Sequence, residues 1–152
     1  MPPLILESFE ELRKFLGQEI AKSEWIAISQ DRIQAFAEVT GDHQWIHLDS
    51  ERAKRESPYG STIAHGFLTL SLISQLFATA VRISGGRLTI NYGLNRVRFP
   101  APVPAGARIR ASFTVQSFRE LPKGSEVTLE VVVECENAAK PCCVAEWILR
   151  RS

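Results

Sequence analysis

The densest group of chemically useful side chains lies between residues 40 and 49, where the chain reads TGDHQWIHLD. Asp42 follows the Thr40-Gly41 end of a predicted helix, so its carboxylate leaves a turn, and His47 comes five residues later. Two consecutive helix ends can bring a carboxylate and an imidazole into the same small volume. Such a pair can hold one water molecule, and one group can take its proton while the other assists proton delivery. The spacing predicts an acid–base pair at Asp42 and His47.

Ordinary structural roles for the same residues stay open at this point. Asp42 can be a turn residue that accepts a backbone N–H, and His47 can be a partly buried histidine whose ring is satisfied. His43 is predicted to be mostly solvated. A metal site from His43, His47 and Asp49 is conceivable because these residues alternate as they would on a strand, but a turn that caps a helix does not present them so. We therefore predict no metal.

A second candidate is Gly66, in the segment IAHGF that opens a long apolar stretch. At a helix start the backbone N–H groups are free and the helix dipole is positive. Because glycine has no side chain, a substrate carbonyl can come close, and a well-placed N–H stabilises an oxyanion by about 2.7–4 kcal/mol. The alternative is that Gly66 only allows tight helix packing.

Helices are predicted in the first half of the chain. Ser8 and Glu11 have the spacing of a capping box and predict a short helix as far as Phe15. A short strand is predicted over residues 24–28, and Ser29 is predicted to cap the next helix. The apolar face of that helix is predicted to consist of Ile33, Phe36, Ala37 and Val39. Asp49 is then the predicted N-cap of a third, short helix.

A long helix is predicted over residues 66–82. Its apolar residues cover nearly every side, which is typical of a helix surrounded by protein. Residues 66–81 carry no charge, but these sixteen residues fall short of the ~20 that a helix needs to cross a bilayer. We expect a buried core helix and no membrane span.

After this helix the apolar period changes to two. Strands are predicted over residues 88–95, 107–116 and 126–135, with a weaker one over 143–149, and Lys123-Gly124 predicts a hairpin turn. One apolar face per strand is typical of an antiparallel sheet. The economical packing is an α+β domain whose sheet wraps around the long helix. Since one sheet cannot cover a helix on all sides, two copies joined edge to edge are expected.

Length, charge and cysteine usage bound the class of protein. The 152 residues suit one domain over 1–152, and 18 Lys+Arg against 17 Asp+Glu exclude the basic field of a dedicated nucleic-acid binder. Three cysteines without a CxxC pair give neither a disulfide framework nor a zinc site. A reducing compartment and an N-terminus unlike a signal peptide predict a cytoplasmic protein.

The segment FAEVTGDHQWIH and the later IAHGFL together resemble the MaoC-like dehydratases, also called R-specific enoyl-CoA hydratases (hydratase 2). The resemblance is strongest to the nodulation-protein-N-like branch and covers most of the chain. The matching residues are Phe36 to His47, Ala53, Ile63 to Leu68, Asn91 to Gly93, Val97 to Val103, and Gly106. Gln44-Trp45 stands where family members often have Asn-Pro, so an indole is expected beside the catalytic turn.

The resemblance implies a hot-dog fold, an antiparallel sheet wrapped around a long central helix, in a homodimer. It also implies reversible syn hydration of a trans-2-enoyl thioester to an R-3-hydroxyacyl thioester, without metal or cofactor. Asp42 and His47 would activate the water, and the N–H of Gly66 would polarise the thioester carbonyl. The acyl group would arrive on coenzyme A or acyl carrier protein.

Further residues are predicted to contact the substrate. Those near the acyl group are Trp45, His65, Phe67, Tyr92 and Asn95. Arginines that could meet coenzyme A phosphates are Arg82, Arg87, Arg96 and Arg98. Ordinary core packing or solvation is the alternative for each.

Two other functions are compatible with these residues. A hot-dog acyl-CoA thioesterase could use the same pair to activate water. A non-catalytic acyl-thioester binding protein is the other alternative, suggested by the Gln44-Trp45 departure.

Overall fold

The helices of the described chain precede its longest strands. The structure, a computed structural model, describes residues 2–86 and 88–152. Its helices are a 3-10 helix (Phe9–Phe15), α1 (Gln30–Thr40), α2 (Trp45–Leu48), α3 (Ser50–Glu56), α4 (Gly66–Ser71) and α5 (Ile73–Ala80). Its strands are β1 (Leu4–Leu6), β2 (Glu19–Lys22), β3 (Ile26–Ala27), β4 (Val81–Ile83), β5 (Thr89–Arg98), β6 (Arg108–Leu121), β7 (Gly124–Cys135) and β8 (Cys143–Arg151). The predicted α+β class is confirmed.

Most strands of the described chain join one antiparallel sheet, in the order β2-β6-β7-β8-β5 with β3 also paired to β6. The predicted period of two is confirmed, because alternate residues of the central strands are buried. These residues are Ile109, Ala111, Phe113, Val115, Val127, Leu129, Val131, Val133, Ala145, Trp147 and Leu149. Phe77 of α5 contacts Phe113 and Trp147 edge-on, with ring centroids 5.0 and 5.6 Å apart. The sheet therefore wraps around α5.

The central helix is present but shorter than the predicted range 66–82, and it is interrupted. Leu72 separates α4 from α5, and its N–H is shared between the carbonyls of Leu68 and Thr69 at 3.1 and 3.2 Å. The helix ends at Ala80 because the next three residues form β4, which pairs in parallel with β1. Backbone pairing with a distant segment therefore sets the end of α5, and no local sequence pattern predicts it.

One face of this helix lies open in the single chain, as expected of a helix that one sheet cannot cover on all sides. Phe67 is 69% exposed. The other exposed residues of this face are Ser71, Ser74, Gln75 and Ala78. No helix within residues 2–86 and 88–152 has the length and apolar character needed to cross a bilayer.

Three local predictions near the N-terminus need correction. Ser8 makes no side-chain cap, and the following helix is 3-10. The strand predicted over residues 24–28 is limited to β3, and β2 precedes it. Val39 is 86% exposed whereas Ile33 is buried. Six residues make about one and two-thirds helical turns, so Val39 points away from the core.

Candidate active site

Helix ends position the acidic member of the site. Ser29 caps α1 by accepting the N–H of Arg32, as predicted, and the helix stops where Gly41 takes a left-handed φ of 77°. Asp42 follows in a turn, in which its Oδ1 accepts the N–H of Gln44 at 3.4 Å. The chain then enters α2, whose third residue is His47. Asp49 caps α3 by accepting the N–H of Arg52 at 3.0 Å, as predicted.

The structure brings Asp42, His47 and His65 together. A carboxylate oxygen of Asp42 and one ring nitrogen of each histidine all lie within 4.8 Å of one another. Asp42 is exposed, whereas His47 is 8% and His65 2% exposed. The cluster therefore has a solvent-facing carboxylate above two enclosed imidazoles.

Hydrogen bonds decide which nitrogen of each imidazole carries its proton. Nδ1 of His47 lies 2.7 Å from the carbonyl oxygen of Ile63. Because a carbonyl only accepts, Nδ1 donates and Nε2 keeps its lone pair. Nε2 of His65 donates to the main-chain carbonyl of Asp42 at 3.1 Å, and its buried Nδ1 has no hydrogen-bond partner among the described residues. The two imidazoles hold opposite tautomers.

The two rings are stacked, with centroids 3.8 Å apart and planes at 25°. Burial lowers the pKa of His65, the hydrogen bond to the Asp42 carbonyl opposes this shift, and the neighbouring His47 reinforces it. His65 is therefore a neutral imidazole around neutral pH.

A glutamine ties the segment of His47 to the rest of the site. Nε2 of Gln30 donates to the carbonyl of His47 at 2.8 Å, and its Oε1 accepts the hydroxyl of Thr62 at 2.6 Å. The N–H of Ile63 also donates to the carbonyl of Ile46 at 3.2 Å. The sequence analysis missed Gln30 and Thr62. They lie 32 residues apart, and neither type nor spacing links them.

Gly66 begins α4 directly after His65. A Cβ built on it would lie 3.0–3.1 Å from ring atoms of Phe99, so the glycine does leave room for packing. Gly66 also lines a cavity of about 220 Å³ together with Ile63, Thr69 and Val103. Both sequence-based explanations of this glycine are thus compatible with the structure.

The other predicted substrate residues are dispersed. Trp45 is half-buried under the guanidinium of Arg52, 4.2 Å from its ring centroid. Phe67 lies on the open helix face, with its ring centroid 6.4 Å from that of Phe99. His65 is 2% exposed, and its predicted substrate contact stays a prediction.

Tyr92 and Asn95 both lie on β5. Arg150 covers the Tyr92 ring at 3.5 Å, and Asn95 falls where the register shifts between Leu94 and Val97. Within the described chain neither side chain has a hydrogen bond or ring contact with the Asp42 cluster, because β5 forms the outer edge of the sheet. Their predicted substrate contacts stay predictions.

The arginines proposed for coenzyme A do not converge. Arg82 is exposed on β4. Arg96 and Arg98 line a cavity with Glu130 and Glu146, whose charges disfavour phosphate. Arg87 lies outside the described residues.

The conceivable metal set His43, His47 and Asp49 is not the group that the structure assembles. Asp49 is engaged as a helix cap, and the cluster contains Asp42 and His65 instead. Two imidazoles and a carboxylate are donors that transition metals accept. However, the two rings lie in nearly parallel planes 3.8 Å apart, so a metal in the plane of one ring would lie outside the plane of the other. The geometry favours holding a water molecule.

Comparison with known proteins identifies the family. The MaoC like domain matches residues 11–137. The chain is 48% identical over 145 residues to 3-hydroxyacyl-thioester dehydratase Z of Mycobacterium tuberculosis, covering 95% of each protein. It is 46% identical over 145 residues to Nodulation protein N of Rhizobium leguminosarum bv. viciae, covering 93% of this chain and 89% of that protein.

Among solved structures, R-hydratase PhaJ1 of Pseudomonas aeruginosa in the unliganded form is similar, with a TM-score of 0.67 and 30% identity. The alignment covers 90% of this chain and 81% of that one. The family model and the two relatives match most of the chain, and its sheet wraps around a central helix, so this protein belongs to the MaoC-like family and has its hot-dog fold.

Proposed function

We propose that the protein adds water reversibly to a trans-2-enoyl thioester and so forms an R-3-hydroxyacyl thioester. The observation that carries the proposal is the Asp42 carboxylate and the His47 imidazole within 4.8 Å of each other. The relatives named as dehydratases and the R-hydratase fold support the same reaction. The chain is a hydro-lyase.

The pair at Asp42 and His47 would hold the attacking water. Nε2 of His47 has its lone pair free because Nδ1 donates to Ile63, so it accepts one hydrogen of the water. Asp42 accepts the other hydrogen and acts as general base. The water oxygen then bonds to the β-carbon as its proton passes to Asp42.

Negative charge develops on the thioester carbonyl as the double-bond electrons move toward the α-carbon and the oxygen. We assign the N–H of Gly66 as the donor to this oxyanion. The proton taken from water is then delivered to the α-carbon from the same face, with His47 assisting. This gives syn addition, balances the atoms and needs neither metal nor cofactor.

An apolar cavity beside α5 is the proposed site of the acyl chain. It has a volume of about 330 Å³, and Phe77, Ala78, Trp147 and Leu149 are among the residues that line it. A smaller cavity of about 180 Å³ adjoins it and shares Ser74, Asn91 and Trp147. The exposed helix face leads from Gly66 toward these cavities. The carrier of the acyl chain is coenzyme A or acyl carrier protein, and the reaction belongs to fatty acid metabolism.

A homodimer is part of this proposal. The edge strand β5 and the residue before it expose large apolar side chains, which is a liability unless another chain covers them. These residues are Leu88, Ile90, Tyr92 and Leu94, which are 40–56% exposed. Sedimentation at twice the 17.0 kDa chain mass would support the dimer, and sedimentation at a single chain mass would contradict it.

We also propose a cytoplasmic enzyme formed by one domain over 1–152. Cys135, Cys142 and Cys143 are free, which suits a reducing compartment. One continuous core contains residues from Leu6 to Leu149, which suits a single domain.

The decisive experiment measures loss of enoyl-thioester absorbance with crotonyl-CoA and longer homologues, and the chirality of the product. Asp42→Asn removes the base, so we expect kcat to fall by about 10²–10⁴ with little change in KM. Asp49→Asn is the matched control. It also removes one negative charge near His47, but asparagine caps a helix as well as aspartate, so activity should persist.

Four outcomes would contradict the proposed function or its mechanism. Full activity of Asp42→Asn would exclude Asp42 as the general base. No turnover at any chain length would exclude the hydration reaction. Release of free thiol from acyl-CoA, detected by a thiol reagent, would favour the thioesterase instead. Calorimetric binding of acyl-CoA without any turnover would favour the binding protein.

A further inference from the structure

His65 is the most enclosed member of the cluster formed by Asp42, His47 and His65. The exposed fraction is 2% for His65 and 8% for His47, whereas Asp42 is exposed. The sequence predicts that this ring contacts the substrate, but with so little of it exposed, its contacts are with protein groups. Any contribution of His65 to the reaction therefore passes through the protein groups that it contacts.

Two contacts join His65 to the two residues that handle the water. Its Nε2 donates to the main-chain carbonyl of Asp42 at 3.1 Å. Its ring lies against that of His47, with centroids 3.8 Å apart. The Phe36 ring also contacts it, at 4.9 Å and 55°, so the His65 imidazole is held between rings.

The protonation state of His65 follows from its surroundings. Nε2 carries the hydrogen, and Nδ1 is buried without a partner among the described residues. A second proton on Nδ1 would lack an acceptor and would place a positive charge against the His47 ring. Asp42 is the acidic group beside it, and His43 and His47 are the neighbouring imidazoles. His65 therefore lies beside His47 as a neutral ring.

We propose that His65 is a positioning residue that fixes the main chain of Asp42 and the ring plane of His47 at the same time. One neutral imidazole thereby keeps the carboxylate and the catalytic nitrogen at the separation that a single water requires. An error of about 1 Å in such a pair can cost on the order of a hundredfold in rate. The proposal rests on the proposed function for its kinetic test but not for its structural one.

Two substitutions separate the two contacts. His65→Phe keeps a ring against His47 but loses the donor to the Asp42 carbonyl. His65→Gln keeps an N–H donor but loses the stacked ring. His43→Gln serves as control, because His43 is exposed and makes no hydrogen bond or ring contact among the described residues.

In the kinetic test we expect both His65 variants to lower kcat by roughly tenfold or more while KM changes little, because ground-state binding is intact. The acid limb of the kcat/KM profile should shift in both, and His43→Gln should match the wild type. A raised KM at unchanged kcat would overturn positioning in favour of substrate contact. Unchanged kinetics in both variants would show that His65 only packs against its neighbours and does not position the site.

In the structural test, NMR follows the His47 ring without any substrate. The chain has three histidines, so their ring signals can be assigned from the single variants. We expect the apparent pKa or tautomer ratio of His47 to change in His65→Phe and His65→Gln but not in His43→Gln. An unchanged His47 titration in folded variants overturns the proposal even if hydratase activity is present. A changed titration supports it even if no enoyl thioester is turned over.

Discussion

A single hydrogen bond decides the chemistry available to His47. Donation from Nδ1 to the Ile63 carbonyl leaves Nε2 as the nitrogen that can accept a proton. The residue types at positions 42 and 47 indicated an acid–base pair, but no sequence feature indicates a tautomer. His65 shows the same limit, because no sequence feature indicates its burial or its donor bond to the Asp42 carbonyl.

The substitution Gly66→Ala adds one methyl group and tests whether Gly66 serves substrate approach or only packing. Gly66→Ala should lower kcat by about 10²-fold, because the methyl group obstructs the approach of the substrate thioester carbonyl to the N–H of residue 66. The added Cβ would lie 3.0–3.1 Å from ring atoms of Phe99, so the melting temperature reports how far that ring gives way, separately from the kinetic effect. Steady-state kinetics and a melting curve measure both effects.

The control adds Phe99→Leu to Gly66→Ala, since the built Cβ lies 3.0 Å from the Phe99 ring. If the double variant regains wild-type activity, the glycine serves only to make room for Phe99. Continued inactivity in the double variant supports approach of the substrate to the backbone.

Short helices and their caps position the site at the scale of elements. Ser29 and Asp49 cap α1 and α3 as their local sequence predicted, because a cap needs only the next three residues. The link from Gln30 to Thr62 joins α1 to the loop before α4 and could not be predicted. These two kinds of contact together hold α2 and His47.

Thr62→Val tests that link. Valine has the shape of threonine but leaves Oε1 of Gln30 without its donor, so we expect the free energy of unfolding to fall by about 1 kcal/mol. Because Gln30 also holds the His47 carbonyl, kcat should fall as well. Denaturant unfolding and steady-state kinetics give the two quantities.

Thr62→Ser is the matched control, because it keeps the hydroxyl. It should retain most of both the stability and the activity. A loss in the serine variant with none in the valine variant would show that the buried methyl group, and not the hydrogen bond, supports the site.

At the scale of the whole molecule, the burial of three cysteine thiols on or next to the last two strands makes stability depend on pH. Burial raises the pKa of Cys142 to about 12 and that of Cys143 to about 11, from an ordinary value of 9.0. Cys135 is shifted upward as well, again chiefly by burial. The thiols pack as small apolar side chains and are not nucleophiles in the native protein.

The pH dependence follows from the sign of these shifts. Above pH 9 the unfolded chain ionises thiols that the folded chain keeps protonated, so the free energy of unfolding falls as pH rises toward 12. A double variant, Cys142→Ala with Cys143→Ala, should show a smaller fall between pH 8 and 10 in denaturant titrations. Native protein should also react slowly with a thiol reagent, and unfolded protein should react rapidly. Rapid reaction of the native thiols, or identical pH slopes, would contradict this assignment.

The sequence by itself determined the class of fold, the caps of α1 and α3, the alternating faces of β6 and β7 and the residue types of the acid–base pair. All of these depend on neighbours a few residues away, or on a period that repeats along one element. Tertiary structure alone decided the break at Leu72, the end of the helix at Ala80, the Gln30–Thr62 link and the place of His65 behind Asp42 and His47. Each of these depends on a contact between distant segments, and such contacts exist only once the chain has packed.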